Sequence, residues 1–317
     1  MPQEMDISWQ VLRRIVRDWA GERAELAEVI PLDGGTINTT LSLKLEDGAR
    51  AVLKISTHRV DRSYAIEAHQ LDLMGQAGVP VPRVYATKIG TLDDPHSYLL
   101  MEFIDGVDLA EVRRHCVPDE FDVVQCHLAE VMSSLHQRRA DRYGRVRPEG
   151  FAGPENDPEL FDTWPAFYRH AFDNLWHDVE LAHLLPPRVC KQIDRVHEKL
   201  DVLLAHDDGP RLTHWDAWSS NILCRQVDGR WRVAALLDPN CVYAHVEAEL
   251  AYLEQFKTVT PAFFKTYLGE GRKLPEEYYR VRKPVYQLYA MINDVHLFGE
   301  NYVKPLMQCL ERVAPLV

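Results

Sequence analysis

The chain has 317 residues, which is long enough for two lobes with buried cores. Its 46% hydrophobic and 26% charged residues are typical of a folded globular protein and argue against a disordered chain. Its net charge of −12 at pH 7 argues against nucleic acid or an anionic membrane surface as a partner and would suit a cationic small molecule.

The cysteines and the N-terminus point to no metal finger, disulfide framework or export signal. None of the six cysteines lies in a Cys-x-x-Cys pair. The first residues, Met1–Asp6, lack the basic and apolar stretches of a signal peptide, and no apolar run approaches the roughly 18 residues of a membrane helix. We therefore expect a cytoplasmic protein, either a monomer or a homodimer.

The pattern from residue 1 to residue 104 predicts a small lobe built on strands. Leu41, Leu43 and Leu45 alternate with polar residues, and Asp47-Gly48 then favours a tight turn. The expected elements are, in order, a helix over 7–20, strands over 41–45 and 50–55, a helix over 63–76 and a strand over 97–103.

From residue 105 to residue 317 the apolar residues recur mainly at helical spacing, apart from one strand pair. That pair is Ile222–Val227 and Arg230–Leu237, joined by Asp228-Gly229. Residues 146–162 are expected to form an irregular loop. The expected helices cover 123–138, 164–183, 187–204, 247–256, 261–268 and 282–298. We therefore expect an α+β fold with a small antiparallel-sheet lobe, a larger mostly helical lobe, and a ligand cleft where they join.

The segment from His214 to Asn221, His-Trp-Asp-Ala-Trp-Ser-Ser-Asn, has the spacing of a kinase catalytic loop. In that loop the aspartate accepts the proton of the acceptor hydroxyl and the asparagine binds magnesium. The motif therefore predicts a protein-kinase-like fold, with Asp216 as the catalytic base and Asn221 as a metal ligand. The alternative is that Asp216 is a turn residue and Asn221 caps a helix.

The predicted hairpin adds a second metal ligand. Asn221 precedes its first strand and Asp238 follows its second, so both emerge at the same end of the hairpin. Hard oxygen ligands in this number favour Mg²⁺ completed by nucleotide phosphates. The alternative makes Asp238 an ordinary residue at the end of a strand.

The first lobe contains partners for this chemistry. Lys54 lies inside a predicted strand, where kinases keep a phosphate-binding lysine. Glu67 lies on the same predicted helix face as Leu71 and Met74, and a carboxylate facing inward needs a cation. We therefore expect a Lys54–Glu67 ion pair that orients the phosphates of ATP, although each residue taken alone would suit a solvated surface.

Two further segments suit the nucleotide. Gly34, Gly35, Thr36 and Asn38 precede the first hairpin, where backbone and hydroxyl donors would meet phosphate oxygens. The backbone groups of Glu102 and Ile104 fall where the adenine ring is bound between the lobes in kinases. An ordinary buried strand would have the same sequence in this second segment.

Three later stretches resemble one kinase group. They are Trp-Pro-Ala-Phe-Tyr at 164–168, Asp-Pro-Asn-Cys-Val-Tyr-Ala-His-Val-Glu-Ala-Glu-Leu-Ala at 238–251, and Lys-Pro-Val-Tyr-Gln-Leu-Tyr at 283–289. With the motifs above, the chain resembles the aminoglycoside phosphotransferase-like kinases, and within them the fructosamine (ketosamine) kinase group. This resemblance implies an ATP- and Mg²⁺-dependent phosphotransferase that acts on a hydroxyl of a small molecule.

Departures from the group lie on the acceptor side. The group usually has His-Gly-Asp-Leu-Trp, whereas this chain has Trp215 beside the base, and Val246 and Glu249 replace an arginine and an aspartate. We expect Trp215 and Trp218 to shape the acceptor site. Two acceptors remain open, a ketosamine and an antibiotic inactivated by phosphorylation, and a third hypothesis is a nucleotide-binding pseudokinase without catalysis.

Overall fold

An antiparallel sheet with a helix on each face forms the N-terminal lobe. The computed structural model describes residues 7–32, 39–56, 61–149, 151, 160–181, 183–206 and 208–317, with the backbone alone over 178–181. Among these residues the sheet has five strands in the order β1-β2-β3-β5-β4. They are β1 (Leu26–Pro31), β2 (Thr39–Leu45), β3 (Arg50–Ser56), β4 (Val84–Lys88) and β5 (Ser97–Glu102).

The two faces of this sheet bury different helices because alternate residues of a strand point in opposite directions. Helix α1 (Trp9–Ala20) packs on the face that contains Leu53. Helix α2 (Ser63–Gln76) packs on the face that contains Val52. Lys54 is two residues from Val52 in β3 and therefore lies on the α2 side.

Helices dominate the C-terminal lobe. The longer ones are α3 (Leu109–His115), α4 (Pro118–Gln137), α5 (Trp164–Leu181), α6 (Pro187–Glu198), α8 (Val246–Gln255), α9 (Pro261–Leu268), α10 (Lys283–Phe298) and α11 (Val303–Val313); α7 (Leu200–Leu203) is a single turn. A π-helical segment over Tyr278–Arg282 leads directly into α10. No helix in the described ranges is long and apolar enough to cross a membrane.

Short strands of this lobe form two small sheets, ordered β11-β10-β6 and β8-β7-β12-β9. They are β6 (Val107–Asp108), β7 (Tyr143–Arg145), β8 (Leu160–Phe161), β9 (Arg211–Thr213), β10 (Ile222–Val227), β11 (Arg230–Leu236) and β12 (Val242–Ala244). Strand β8 lies in the segment expected to be a loop, of which residues 150 and 152–159 are outside the described residues. The expected helix over 187–204 is interrupted at Lys199, whose backbone leaves the helical conformation.

The β10–β11 hairpin forms as the sequence predicts. Asp228 and Gly229 have φ values of 51° and 73°, the left-handed conformations that a two-residue hairpin turn requires. At the other end of the hairpin, Leu237 N–H donates to the carbonyl of Asn221 at 2.8 Å. Asn221 and Asp238 therefore emerge side by side.

Gln70 of α2 connects the two lobes. It is 3% exposed, its Nε2 donates to the carbonyl of Val146 at 2.9 Å, and its Oε1 accepts from Cys241 N–H at 3.1 Å. A second connection is the bond from Leu236 N–H to the carbonyl of Pro80 at 2.9 Å. These buried bonds fix the position of α2, and with it Glu67, relative to the C-terminal lobe.

We predict that Gln70→Ala destabilises the protein by about 2–4 kcal/mol, because it leaves a buried carbonyl and a buried N–H without partners. Equilibrium urea unfolding measures the change. Gln76→Ala is the matched control: Gln76 lies on the exposed face of the same helix, and its one side-chain bond among the described residues is to Asp72 at 2.7 Å. Its effect should therefore stay within about 0.5 kcal/mol. Equal unfolding midpoints for both variants would contradict the proposed role of Gln70.

Candidate active site

A cavity of about 830 Å³ separates the lobes. It brings together eight of the residues singled out in the sequence: Lys54, Glu67, Glu102, Ile104, Asp216, Trp218, Asn221 and Asp238. The predicted phosphate-loop residues Gly34, Gly35, Thr36 and Asn38 lie outside the described residues, so their role stays a prediction.

Lys54 lies between carboxylates of both lobes. Its Nζ is 2.6 Å from Glu67 Oε1 on α2 and 2.5 Å from Asp238 Oδ1 after β11. Burial lowers the pKa of Lys54, but the two carboxylates outweigh burial, so the net pKa lies above its usual value. Lys54 is therefore charged at neutral pH and aimed at the place where a phosphate would meet a metal.

Two donors, Tyr252 of α8 and Asn221 of the same loop, hold the carboxyl of Asp216. Tyr252 OH donates to Oδ1 at 2.7 Å, and Asn221 Nδ2 donates to Oδ2 at 3.2 Å and to the Asp216 carbonyl at 2.9 Å. Burial raises the pKa of Asp216 to about 6; the Tyr252 and Asn221 bonds oppose this shift, whereas the charge of Asp238 adds to it. Asp216 is a carboxylate at neutral pH, yet basic enough to assist proton removal.

The remaining atoms of Asn221 and Asp238 suit a hard metal ion. Both Asn221 Nδ2 bonds go to Asp216, so its Oδ1 is left for a ligand. Asp238 keeps 50% of its side chain exposed and uses Oδ1 for Lys54, which leaves Oδ2. An amide oxygen and a carboxylate oxygen beside a phosphate cavity are the donors that Mg²⁺ prefers.

The segment between the lobes, which includes Glu102 and Ile104, offers a backbone N–H for a ligand. Glu102 is occupied on one side, because its N–H donates to the Arg83 carbonyl at 2.8 Å and its Oε2 accepts from Arg83 N–H at 3.2 Å. In the described part of the chain, the Ile104 N–H has no hydrogen-bond partner. Since Ile104 lines the cavity, this N–H is available to a purine nitrogen.

A second cavity, of about 290 Å³, meets the first at Asp216. Its walls include the aromatic side chains of Tyr168, Trp215, Tyr286 and Tyr289. Asp216 lines both cavities, so a group in the smaller one can meet a phosphate in the larger one. The second cavity is therefore the candidate acceptor site.

The two tryptophans flanking Asp216 lie on opposite sides of it. Trp215 lines the acceptor cavity and packs beside Trp164 and Phe167, with ring centroids 6.5 and 6.4 Å away. Trp218 is 42% exposed and lines the larger cavity between the lobes. Trp215 therefore lines the smaller cavity and Trp218 the larger one, and the prediction that both shape the acceptor site stays a prediction.

Glu249 anchors the loop at Trp215, a role that sequence reasoning missed. Trp215 N–H donates to Glu249 Oε1 at 2.7 Å, and Glu249 Oε2 lies 2.6 Å from His136 Nε2. His136 Nδ1 in turn lies 2.6 Å from Tyr267 OH. The available signal was a carboxylate on the apolar stripe of α8, where an unpaired charge would be costly.

A family model described as fructosamine kinase matches residues 8–315, nearly the entire chain. The chain belongs to the fructosamine kinase family. A probable ketoamine kinase of Enterococcus faecium is 30% identical to this family member over 291 residues, which cover 90% of this chain and 94% of that protein. The probable ketoamine kinase YniA of Escherichia coli K12 is 26% identical over 310 residues, with coverages of 96% and 99%.

Solved structures show the same fold. A candidate fructosamine-3-kinase from Thermobifida fusca superposes on this fructosamine kinase family member with a TM-score of 0.74 at 24% identity, covering 98% of this chain and all of that one. A thermostable mutant of aminoglycoside phosphotransferase APH(4)-Ia gives a TM-score of 0.64 at 18% identity, with coverages of 95% and 96%. The expected two-lobed kinase fold and kinase activity are confirmed.

We predict that Tyr252→Phe moves the acidic limb of the kinase's pH profile to higher pH. The limb of kcat, measured at saturating acceptor, should reflect Asp216 and rise through about pH 6 before levelling off. Loss of a hydrogen bond that stabilises the carboxylate should raise this apparent pKa by about one to two units. Tyr279→Phe, at a tyrosine that is 45% exposed, is the control and should keep the wild-type limb. An unshifted limb in Tyr252→Phe would refute this coupling.

We predict that the two tryptophans affect different Michaelis constants. Trp215→Gly removes an acceptor-cavity wall and suits the φ of 66° at this position, so it should raise the acceptor KM about tenfold and leave the nucleotide KM nearly unchanged. Trp218→Ala should do the reverse. Steady-state kinetics with each substrate varied in turn measures both constants, and the same effect of both variants on the acceptor KM would contradict the placement of Trp218.

Proposed function

We propose that this kinase transfers the γ-phosphoryl group of ATP, with Mg²⁺, to a hydroxyl of a small ketoamine in the cytoplasm, where ATP is supplied. The observation that carries the proposal is the position of Asp216 at the junction of a cavity with phosphate- and metal-binding residues and a small aromatic cavity. A transferable phosphoryl group and an acceptor hydroxyl can meet only at such a junction.

The chain's own residues divide the work of an in-line transfer. Lys54, held by Glu67, would bind phosphate oxygens, and the free Ile104 N–H would orient the purine. Bound Mg²⁺ would supply neutralisation of phosphate charge, with Asn221 and Asp238 as its protein ligands.

Asp216 performs the step on the acceptor side. Its carboxylate, fixed by Tyr252 and Asn221, would accept a hydrogen bond from the acceptor hydroxyl and take its proton as the oxygen attacks phosphorus. Positioning and charge neutralisation provide most of the acceleration in this class of reaction. The role of the loop is therefore to hold the base still while the phosphates are bound on its other side.

Two observations support a ketoamine as the acceptor: the names of the relatives and the volume of the acceptor cavity. Curated relatives are described as ketoamine kinases. The acceptor cavity, about 290 Å³, is at the lower limit for a drug-sized ligand and suits a single open-chain or monocyclic sugar amine. An antibiotic with several sugar rings would extend well beyond this cavity. The aminoglycoside kinases among the solved structures support the fold only, so the choice of acceptor is argued from the size of this cavity.

We predict that Asp216→Asn lowers kcat for ketoamine phosphorylation by about 10³-fold or more, because the amide cannot take the hydroxyl proton. ATP affinity, measured by calorimetry, should stay within about threefold, since the phosphate-binding residues lie on the other side of residue 216. Asp201→Asn is the control, because exposed Asp201 pairs with Arg169 at 2.9 Å and neither residue lines either cavity.

The substrate panel contains fructosyl-lysine, ribulosyl-lysine, and aminoglycoside, peptide and nucleoside antibiotics. Turnover of a ketosamine that Asp216→Asn abolishes supports the proposal. Turnover of an antibiotic alone overturns the ketoamine acceptor, and wild-type kcat in Asp216→Asn overturns the assignment of the base.

A further inference from the structure

A buried carboxyl on α10 has no partner among the residues that the structure describes. Asp294 is 6% exposed, and its Oδ2 is fully buried without a hydrogen bond. Among the described residues no cation pairs with it. A carboxyl in this condition is costly unless a proton or an external cation compensates for it. Elsewhere nearby, the chain supplies a cation for a buried carboxylate: Arg282, just before α10, binds Glu247 at 2.6 and 2.8 Å.

Asp294 lies between residues of α10 that line the acceptor cavity. Ala290, four residues before it, and Leu297, three residues after it, both line that cavity, as does Asn293. Positions 290, 294 and 297 share one face of a helix. Asp294 therefore lies on the cavity side of α10.

The base lies close to the same carboxyl. Burial, followed by the charge of Asp216, raises the pKa of Asp294 to about 7. Asp294 also adds to the raised pKa of Tyr252, whose hydroxyl bonds to Asp216. Asp216 thus lines the acceptor cavity, whereas Asp294 is buried beside the residues of α10 that line it. Of these two carboxyls, only Asp216 has hydrogen-bond donors in the described part of the chain.

The cavity suits a cation in other respects. Aromatic faces of the kind that Trp215, Tyr286 and Tyr289 provide attract ammonium groups. Among the described residues that line this cavity, the one basic side chain is Arg145, and it donates to Asn240 Oδ1 at 3.4 Å. Because no cation of the described residues pairs with Asp294, its charge has to be balanced by a proton or by a cation from outside the chain.

We propose that Asp294 binds the protonated amine of the acceptor and makes this kinase selective for acceptors with a cationic nitrogen near the phosphorylated hydroxyl. The inference rests on the proposed ketoamine function and adds to it the residue that recognises the nitrogen. Asp216 takes the hydroxyl proton, whereas Asp294 is a specificity residue that fixes the other end of the same small molecule.

The test uses two matched acceptors, 1-deoxy-1-(propylamino)fructose and the corresponding 1-O-propyl ether. They differ in whether a protonated nitrogen or a neutral oxygen is attached to the sugar. Wild type should prefer the amine, and Asp294→Asn should raise its KM for the amine about tenfold or more. The kcat for the amine and the KM for the ether should change less than about threefold, because the base is intact. Glu311→Gln, an exposed carboxyl-to-amide change on α11, is the control and should match wild type.

Thermal unfolding separates this role from a structural one. Folding raises the pKa of Asp294 to about 7, so its protonated form is favoured in the folded state. Its contribution to the free energy of unfolding is therefore fully present below about pH 4 and is lost as pH rises through about 7. Asp294→Asn should therefore melt at or above the wild-type temperature at pH 8, with no gain at pH 4. A lower melting temperature at pH 8 would show that Asp294 stabilises the fold and would overturn the inference.

The outcomes distinguish this inference from the proposed function. If wild type phosphorylates the amine and Asp294→Asn does so with the same KM, the inference fails and the function stands. If wild type phosphorylates neither acceptor, the function fails, and calorimetric binding of both acceptors in the presence of a non-hydrolysable ATP analogue tests Asp294 alone. A wild type that shows no preference for the amine, in turnover or in binding, overturns the inference.

Discussion

The ammonium group of Lys54 lies between Glu67 of one lobe and Asp238 of the other, and the geometry of the cleft depends on this contact. Without a cation there, two carboxylates would face each other across the cleft and repel. With it, the side chains proposed to bind phosphate and metal, Lys54 and Asp238, are held in direct contact. Gln70 fixes α2 against the C-terminal lobe through buried backbone groups. The position of the Glu67 carboxylate on α2 is therefore fixed relative to that lobe.

The wider site is a concentration of acidic groups, most of which receive their own cation or hydrogen-bond donors from the fold. Asp238 has Lys54, Glu249 has His136 and the Trp215 N–H, and Asp216 has Tyr252 and Asn221. Each partner also fixes a direction: Asp238 faces the larger cavity, Glu249 holds the Trp215 N–H, and Asp216 faces both cavities. Asp294 is the exception, because its partner is supplied by the ligand under the present proposal. Electrostatic compensation and substrate recognition are thus the same property of this site.

The elements that could be predicted from sequence are those whose signals are local. Asp228-Gly229 determined the β10–β11 hairpin, and helix α2 begins and ends where its spacing and the following prolines predict. The Lys54–Glu67 pair was predictable because a buried carboxylate needs a cation and the two residues are only 13 apart. Strands of two or three residues, such as β6, have no periodicity to detect and form only when β10 is present to pair with them.

Tyr252 and Asp294 could not be placed for a different reason: they are 36 and 78 residues beyond Asp216, on helices whose approach to the loop depends on tertiary packing. The same packing explains Trp215. Its φ of 66° is the conformation that glycine adopts freely and other residues adopt at a cost of about 1 kcal/mol. Contact with Trp164 and Phe167 and the bond to Glu249 compensate for that cost. Residue 215 lines the smaller cavity, whereas the residues proposed to bind phosphate line the larger one on the other side of Asp216. We therefore expect a substitution at residue 215 to change which acceptor fits and to leave the phosphoryl-transfer geometry in place.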